Sequence, residues 1–408
     1  MKKRIAVTGL GVLSPIGSGT DKFWNALISG NVGTKEIHAF DTSLFSVNIG
    51  GEVTDIEPTS FIHKSHPEML GRASHLAVAA SRMAWNDAGI STSSYPSYRV
   101  GVCMGSTIGN ISILENIHDM GLSEQNDVHP NYVLNYSLAS IAGSVSAELG
   151  LEGPSLTIST ACASGNNAIS RGMDLIQQGM ADAVVVGGAD CMSRTCYTVF
   201  YRLGAIAPEA SRPFTKDRKG MIVSEGAGSL VLEDMEKAME RGARIYAELA
   251  GYGLSCDAYH LTAPHPEGMG AVLAMDRAMQ DANVAKKDIS YISAHGTGTK
   301  ANDSSESKAI YSIFGEQTDS IPISSIKSML GHTMGAASAI EAVACTLAIY
   351  HSVIPPTMNV TELDPECVKN VVPNRAVYQP VNVAMSNSFA FGGNISTIIL
   401  KGVNHDPQ

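Results

Sequence analysis

A single cysteine lies where a short β-branched run changes into a helical pattern. Residues 157–176 read TISTACASGNNAISRGMDLI, so Cys162 marks the expected end of a strand and start of a helix. The first turn of a helix has unpaired N–H groups and a partial positive charge, which favour a thiolate and can hold an oxyanion. Cys162 is therefore a candidate nucleophile. The alternative is a buried, inert cysteine, which is how most cysteines behave.

Two histidines lie at similar strand ends later in the chain. His295 ends a strand in SAHGTGTKANDSSES and is followed by Thr297 and Thr299, while His332 lies in SSIKSMLGHTMGAASAIEA, after Lys327 and before a small-residue helix. An exposed imidazole at such an edge can move a proton or donate a hydrogen bond, and a helix start disfavours its charged form. The alternative for each histidine is a turn residue bonded only to backbone.

A fourth stretch, NSFAFGGNIST, precedes the last expected strand. It reads either as a mobile gating loop or as a tight turn, and the stretch alone favours the turn. No GxxxxGK[ST], HExxH or GxSxG motif occurs, and Gly9-Leu10-Gly11 lacks the third glycine of a dinucleotide fingerprint. The histidine pairs in HKSHP and HLTAPH have no third ligand. The sequence therefore predicts neither a cofactor nor a bound metal.

Short apolar runs alternate with helical patterns along the whole chain, which predicts an α/β protein with parallel strands. The cycle of elements begins again near RIYAELAGYG. We therefore expect two related halves, residues 1–250 with the cysteine and residues 251–408 with the two histidines.

Composition restricts the class of protein further. Net charge is −11, which argues against general affinity for nucleic acid or anionic membrane. The seven cysteines form no CxxC pair, so a disulfide framework or zinc site is not expected and a reducing cytoplasm is. The start, MKKRIAVTGLGVLSP, reads as a first strand, and no run approaches the ~18 apolar residues of a spanning helix.

The stretches TACASG, AHGTGT, IKSMLGH and NSFAFGG, in this order, closely resemble the elongating β-ketoacyl-[acyl-carrier-protein] synthases. The resemblance runs nearly end to end, through VTGLGVLSPIG, RPFTKDRKGMIVSEGAGSLVLE and DAYHLTAP. It implies the thiolase fold, in which two similar α/β halves form five αβαβα layers, with a dimer as the usual assembly. It also implies that one sulfur and two imidazoles converge on one cavity.

The resemblance further implies a role for each motif residue. Cys162 would accept the acyl group, and His295 and His332 would form the catalytic pair. The backbone N–H groups of Cys162 and Phe391 would form the oxyanion hole, with Phe391 also the gate. The remaining implied roles are a network of Lys327 with Asp303 and Glu306 that orders His332, pantetheine contacts at Thr297 and Thr299, and substrate contacts at Ile108 and Phe389. Glu341, Ser386 and Asn387 resemble a region where some members hold a structural monovalent cation, which we do not predict here.

Three departures from housekeeping members favour a specialised pathway. Ala390 replaces a glycine of the gating loop, LSEQNDVHPNY lacks a basic pair, and YRLGAIAPEASRPF is shorter and lacks an arginine. Lys64 and a few arginines would then have to serve an acidic carrier protein. We expect a type II polyketide or aryl-polyene ketosynthase that works with acyl carrier protein, as a homodimer or with a related chain-length-factor subunit. Housekeeping fatty-acid elongation is the alternative. A non-catalytic chain-length factor would lack the nucleophilic cysteine.

Overall fold

One continuous sheet joins the two ends of the molecule. The computed structural model describes residues 2–90, 94–122 and 128–403. Within these residues ten strands follow one path through the sheet: β1 (Ile5–Ser14), β2 (Val100–Gly105), β3 (Ser155–Ile158), β4 (Ala183–Asp190), β5 (Gly226–Asp234), β6 (Ala247–Cys256), β7 (Tyr291–Ser293), β8 (Ile323–Ser324), β9 (Val383–Phe389) and β10 (Asn394–Lys401). Five shorter strands are Gly17–Ser18, which pairs with β1, and Thr34–Glu36, Ile49–Gly51, Val353–Ile354 and Val377–Tyr378.

The two halves of this sheet have the same topology. From the centre outward, the strand order is β1-β5-β4-β2-β3 in one half and β6-β10-β9-β7-β8 in the other. The two inner pairs of each half are antiparallel and the two outer pairs are parallel. Antiparallel pairing of β1 with β6 joins the halves. The predicted boundary after residue 250 falls inside β6, because the second cycle begins with that strand.

Helices cover the sheet on both outer faces and fill the space between its halves. The α-helices of the described residues are α1 (Thr20–Ile28), α2 (Arg72–Ala88), α3 (Ile111–Leu122), α4 (Pro130–Leu134), α5 (Ala139–Leu149), α6 (Ser164–Gln177), α7 (Arg194–Arg202), α8 (Met235–Glu240), α9 (Met269–Asp281), α10 (Lys300–Phe314), α11 (Lys327–Leu330) and α12 (Ala337–His351). Helices α2 and α5 pack outside the first half, α9 and α10 outside the second, and α6 and α12 lie together in the middle. The predicted five-layer α/β arrangement is confirmed.

Close packing of α2 on the first strand explains two glycines of VTGLGV. A Cβ atom at Gly9 would lie 2.1 Å from the carbonyl oxygen of Ala84, and one at Gly11 would lie 2.0 Å from that of Ala80. Any side chain there would push the helix off the sheet. The glycines therefore set the distance between the outer and inner layers of the first half.

The central helix α12 is buried almost throughout. With the turn before it, Met334–His351 is long and apolar enough to cross a membrane by length and composition alone, contrary to the expectation that no run approaches that length. Its many alanines, interrupted by Ser338, Glu341 and Thr346, make this run inconspicuous in the sequence. Because 89% of the segment is buried inside the protein, it is a core helix.

Candidate active site

The cysteine and the two histidines all follow strands of the central sheet. Cys162 lies between β3 and α6, His295 follows β7, and His332 lies between β8 and the turn that leads into α12. Strands β3 and β8 hold the same place in their halves, as do helices α6 and α12. Cys162 and His332 therefore occupy equivalent turns of a duplicated fold, which brings them together at its centre.

These three side chains converge on one buried cavity. The Cys162 sulfur and one ring nitrogen of each of His295 and His332 all lie within 4.8 Å of one another. The two imidazole rings meet edge to face, with centroids 5.4 Å apart. Each of the three residues is at most 6% exposed, and all three line a cavity of about 260 Å³. The predicted convergence is confirmed.

Lys327 fixes the tautomer of His295. Its Nζ lies 3.3 Å from His295 Nδ1 and forms a short salt bridge with Glu341, and all of these groups are buried. An ammonium group can only donate, so Nδ1 accepts and the ring proton lies on Nε2. His295 can therefore present an N–H donor to the cavity.

The predicted network of Lys327 with Asp303 and Glu306 has no direct hydrogen bond or ion pair within the described residues, although the charge of Lys327 acts on Glu306. Among the hydrogen bonds of the described residues, Lys327 bonds to His295 and Glu341, and no bond reaches His332. Glu341 lies on α12, beside the start of α11, whereas Asp303 and Glu306 lie on α10. The lysine orders the other histidine, through a carboxylate that the sequence did not assign to it.

Glu306 and Asp303 instead hold the turn that carries His295. Glu306 accepts hydrogen bonds from the backbone N–H groups of His295 and Gly296, at 2.8 and 2.9 Å. Asp303 accepts from the N–H groups of Phe214 and Gly298, and the Arg218 guanidinium lies 3.6 Å from it. Both carboxylates are fully buried, and burial raises both pKa values, that of Glu306 to about 7. They position the loop rather than a ring nitrogen.

Both imidazoles are uncharged in this site. Burial lowers the pKa of His295 and of His332 well below the ordinary value, and the positive charge of Lys327 lowers both further. The prediction of a neutral His332 is confirmed, although burial rather than the helix start is the main cause. Its Nδ1 has no hydrogen-bond partner among the described residues.

Burial works against the thiolate that a helix start would favour at Cys162. Burial raises the pKa of the thiol to about 12, and Lys327 and the residue's own N–H group oppose this shift without offsetting it. The helix start therefore does not decide the charge, because a sulfur that is 6% exposed has lost its water. The thiol needs a proton acceptor at the moment of attack.

The NSFAFGG stretch forms the tight turn between β9 and β10. Phe389 ends β9 with its ring 5.8 Å from that of His295, and Phe391 lies against Phe200 with ring centroids 5.5 Å apart. Both residues line the cavity. Apart from the contact of the Cys162 N–H with its own sulfur, the N–H groups of Cys162 and Phe391 have no hydrogen-bond acceptor within the described residues, so a substrate oxygen can bind to both. Ala390 has extended backbone (φ −139°), which accommodates its Cβ without strain.

Thr297 and Thr299 line the same cavity, and their hydroxyls lie 2.9 Å apart. Ile108 does not line it. This half-buried side chain packs in a neighbouring cluster with Phe200, Met334 and Phe391. Of the stretch LSEQNDVHPNY, residues 123–127 lie outside the described residues, so its predicted loss of basic character is not placed in the structure.

Three residues of the site, two carboxylates and one aromatic ring, were missed or misassigned from sequence. Glu341 stands alone in the apolar run AIEAVACTLAIY, a pattern that indicates a buried carboxylate with a cationic partner. Asp190 ends the buried strand AVVVGGAD, and its carboxylate accepts from Ser106 and from the N–H groups of Gly109 and Gly335. Phe200 lies in a helix that looks exposed from its sequence, and no sequence feature indicated that this ring lines the cavity.

The site also contains donors that suit a cation. The sulfur of Cys162 and the ring nitrogens of His295 and His332 are close enough together to bind one metal ion. These are also the atoms expected to carry out the reaction. Separately, Glu341 Oε2, Ser386 Oγ and Asn166 Oδ1 are buried without a partner among the described residues. Such oxygens fit a structural monovalent cation, which would act by neutralising the carboxylate. That no metal is bound stays a prediction.

A duplicated α/β fold with a cysteine and two neutral imidazoles at its centre characterises thiolase-fold condensing enzymes. The family model of the N-terminal domain of β-ketoacyl synthase matches residues 2–238, and that of the C-terminal domain matches residues 246–361. The chain therefore belongs to the β-ketoacyl synthase family. It is an acyltransferase that forms β-ketoacyl products by condensation.

Individual relatives cover almost the entire chain. It is 40% identical to 3-oxoacyl-[acyl-carrier-protein] synthase 2 of Synechocystis sp., over 98% of both chains. Among solved structures, a chain of the ishigamide ketosynthase/chain length factor is 42% identical with a TM-score of 0.96, covering 99% of this chain and all of that one. A type II polyketide synthase ketosynthase, solved with its acyl carrier protein and a bound hexaketide, is 33% identical with a TM-score of 0.90 and covers 99% and 100% of the two chains. The resemblance to ketosynthases with the thiolase fold is confirmed.

Proposed function

We propose that this protein extends an acyl chain by two carbons in a specialised type II pathway, with Cys162 as acyl acceptor and His295 and His332 as catalytic residues. The convergence of one sulfur and two neutral imidazoles within 4.8 Å carries this proposal. It also argues against a non-catalytic chain-length factor, which has no use for a nucleophile.

The first step is acyl transfer. The Cys162 sulfur attacks the carbonyl carbon of an acyl thioester on the carrier's phosphopantetheine, and a new S–C bond forms. The thiol proton passes through the imidazole pair to the departing pantetheine sulfur as the old C–S bond breaks. The N–H groups of Cys162 and Phe391 hold the oxyanion meanwhile. Covalent capture divides one difficult reaction into two easier ones.

The second step is decarboxylation and condensation. The C–C bond between the malonyl carboxylate and the thioester breaks, and carbon dioxide leaves. The electron pair of that bond remains as an enolate, whose oxygen accepts hydrogen bonds from His295 and His332. Donors in a dry, fixed site stabilise such charge strongly. The carbanion attacks the acyl carbonyl, a C–C bond forms, and the Cys162 thiolate leaves and takes up a proton. Thr297 and Thr299 position the pantetheine arm.

The choice of pathway rests on two kinds of support. Solved structures similar to this chain include a type II polyketide synthase ketosynthase and a ketosynthase/chain length factor, and the sequence lacks basic residues that housekeeping members carry. Fatty-acid elongation remains the second candidate, because the Synechocystis relative is 40% identical and is named 3-oxoacyl-[acyl-carrier-protein] synthase 2. The carrier is an acyl carrier protein in either case, and we expect the enzyme to work in the cytoplasm without a cofactor.

The partner subunit is a second thiolase-fold chain. Strand β3 forms one edge of the sheet, as β8 forms the other, and Leu156 of β3 is 37% exposed. An unpaired apolar edge strand is an aggregation hazard unless another chain covers it. A related subunit can extend the sheet there, and the ishigamide structure contains a ketosynthase and a chain length factor.

Intact-protein mass spectrometry tests the acyl step. Incubation with acyl-carrier protein should add one acyl group to the wild type and none to Cys162→Ala, with circular dichroism showing an intact fold. Cys256→Ala, which changes an exposed thiol, is the matched control and should still be acylated. An acyl adduct on Cys162→Ala would contradict the assignment.

Product analysis tests the pathway. The protein should make extended products only when purified with a related subunit from its own pathway, and light scattering should give a heterodimer. Leu156→Lys should weaken that dimer, whereas Leu44→Lys, at an 88% exposed position, should not. Steady elongation of saturated acyl chains by the protein alone would instead support the fatty-acid alternative.

A further inference from the structure

Two buried serines from the second half hold the peptide that follows the nucleophile. The main-chain carbonyl of Cys162 accepts hydrogen bonds from Ser338 Oγ at 3.2 Å and from Ser388 Oγ at 3.0 Å. Ser338 lies on α12 and Ser388 on β9, and neither is exposed. Both lone pairs of this carbonyl are therefore occupied by side chains that come from the opposite half of the duplicated fold.

A third buried serine holds the peptide that precedes the nucleophile. The carbonyl of Ala161 accepts from Ser164 Oγ at 2.5 Å and from Ser164 N at 3.0 Å. The same hydroxyl accepts from the N–H of Thr160 at 2.9 Å. In a trans peptide the C=O and N–H point in opposite directions. Fixing the Ala161 oxygen on Ser164 therefore turns the N–H of Cys162 away from the helix.

This turn carries backbone strain, which indicates why it needs holding. Ala161 has φ +49°, in the left-handed region that an L-residue with a Cβ avoids. Such a conformation is strained and persists only when surrounding contacts determine it. The serine bonds on both sides of Cys162 are those contacts.

We propose that Ser164, Ser338 and Ser388 are positioning residues that aim the Cys162 N–H at the oxyanion formed during acyl transfer. This inference rests on the proposed function, since it concerns the attack of the Cys162 sulfur on a thioester carbonyl. The oxyanion that forms there disappears again when the pantetheine sulfur leaves. The second half of the fold thus contributes the alignment of the nucleophile as well as the imidazoles.

The serines can be tested because reactions at this site differ in their need for the oxyanion donor. Acyl transfer needs the N–H of Cys162. Alkylation of the same thiol by iodoacetamide displaces iodide at a saturated carbon and forms no oxyanion. Decarboxylation of malonyl-carrier protein, measured in a Cys162→Gln background, depends on the imidazoles. If the serines act only on the Cys162 N–H, their loss should slow acyl transfer and leave the rates of alkylation and decarboxylation unchanged.

Ser388→Ala is the cleanest variant, because the bond to Cys162 is its only side-chain hydrogen bond among the described residues. Ser338 also accepts from the N–H of Asn166, so Ser338→Ala serves as the second member of a double variant. Ser396→Ala is the matched control: Ser396 is directly opposite Ser388 on β10, is equally buried, and has no hydroxyl partner within the described residues.

We expect acyl transfer to fall about tenfold in Ser388→Ala and about a hundredfold in the double variant, somewhat less than loss of a whole oxyanion donor. The alkylation rate should stay within about twofold of the wild type, and the decarboxylation rate within about twofold of Cys162→Gln. Ser396→Ala should leave all three rates equal to those of the parent proteins. Unchanged acyl transfer in a folded double variant would overturn the proposal. So would a parallel fall in acylation and alkylation, which would mean that the serines act on the thiol. A wild type that takes up no acyl group would instead overturn the proposed function itself.

Discussion

The two halves of this protein share one topology but place different chemistry in the same turn. After the third strand of each half, the chain turns into a central helix, and that turn carries Cys162 in one half and His332 in the other. Duplication explains why residues 170 positions apart meet at one cavity. A sheet that repeats its path places equivalent strand ends face to face.

The surroundings of these two turns differ in charge. Around His332 and its neighbour His295, the second half buries Lys327, Glu341, Glu306 and Asp303. Burial and Lys327 keep both imidazoles neutral. The turn of Cys162 is held by neutral serine hydroxyls instead. The comparison indicates a division of labour in which the first half supplies the nucleophile and the second half supplies donors, proton transfer and alignment.

The largest effect should come from removing a donor of the second half. His295→Ala loses the N–H that faces the cavity, and we expect decarboxylation of malonyl-carrier protein to fall at least about a hundredfold, as with loss of an oxyanion-hole donor. Acylation of Cys162 should fall less, by about tenfold, because His332 can still accept the thiol proton; single-turnover mass spectrometry measures it. An equal fall in decarboxylation and acylation would contradict the division of labour between the two halves.

A smaller effect should follow from breaking the buried ion pair. Lys327→Met leaves Glu341 buried without its cation and His295 without its Nδ1 donor, so we expect a stability loss of about 3–5 kcal/mol together with slower decarboxylation. Thermal unfolding and carbon dioxide release measure the two effects.

The double variant Lys327→Met/Glu341→Gln sharpens this prediction. It removes both charges and should recover most of the stability while decarboxylation stays slow, because the tautomer of His295 is still unfixed. Recovery of decarboxylation in the double variant would mean that Lys327 does not act through His295.

The smallest effect concerns pH. His332 has a folded-state pKa well below its unfolded value near 6.5, so below that pH the unfolded chain binds a proton that the folded protein does not. Its contribution to stability is present above pH 6.5 and is lost as pH falls. For one such group, the free energy of unfolding changes by up to about 1.4 kcal/mol per pH unit.

Denaturant unfolding of His332→Asn beside the wild type isolates this effect from other groups. Glu306 and Glu341, whose pKa values burial raises to about 7, act in the opposite direction over the same range but are present in both proteins. The free energy of unfolding of the wild type should fall relative to that of the variant as the pH is lowered from 7 to 5. A constant difference would mean that His332 titrates normally.

Sequence patterns predicted the elements that carry the site because each motif lies where a strand-like hydrophobic pattern gives way to a helical one. The β-branched run before Cys162 and the small-residue helix after His332 mark strand-to-helix turns, and β3, α6 and α12 lie there. The alternation of strands and helices also predicted two halves. The second cycle was predicted to begin near RIYAELAGYG, and the strand Ala247–Cys256 lies there.

Partners across the fold could not be predicted from the same patterns. Lys327 is 14 residues from Glu341 but 24 and 21 residues from Asp303 and Glu306, and sequence gives no means of choosing between these carboxylates. The raised pKa of Cys162 was missed for a related reason, because burial depends on what the second half places over the first half's turn. Long-range packing decided both.

One measurement tests the division of labour most directly. Cys162→Gln removes the acyl acceptor of the first half and leaves His295, His332 and Lys327 of the second half in place. Given malonyl-carrier protein and acyl-carrier protein, the folded variant should release carbon dioxide while forming no acyl adduct and no extended product. Failure of this variant to release carbon dioxide would contradict the account, because decarboxylation would then depend on the sulfur rather than on the two imidazoles.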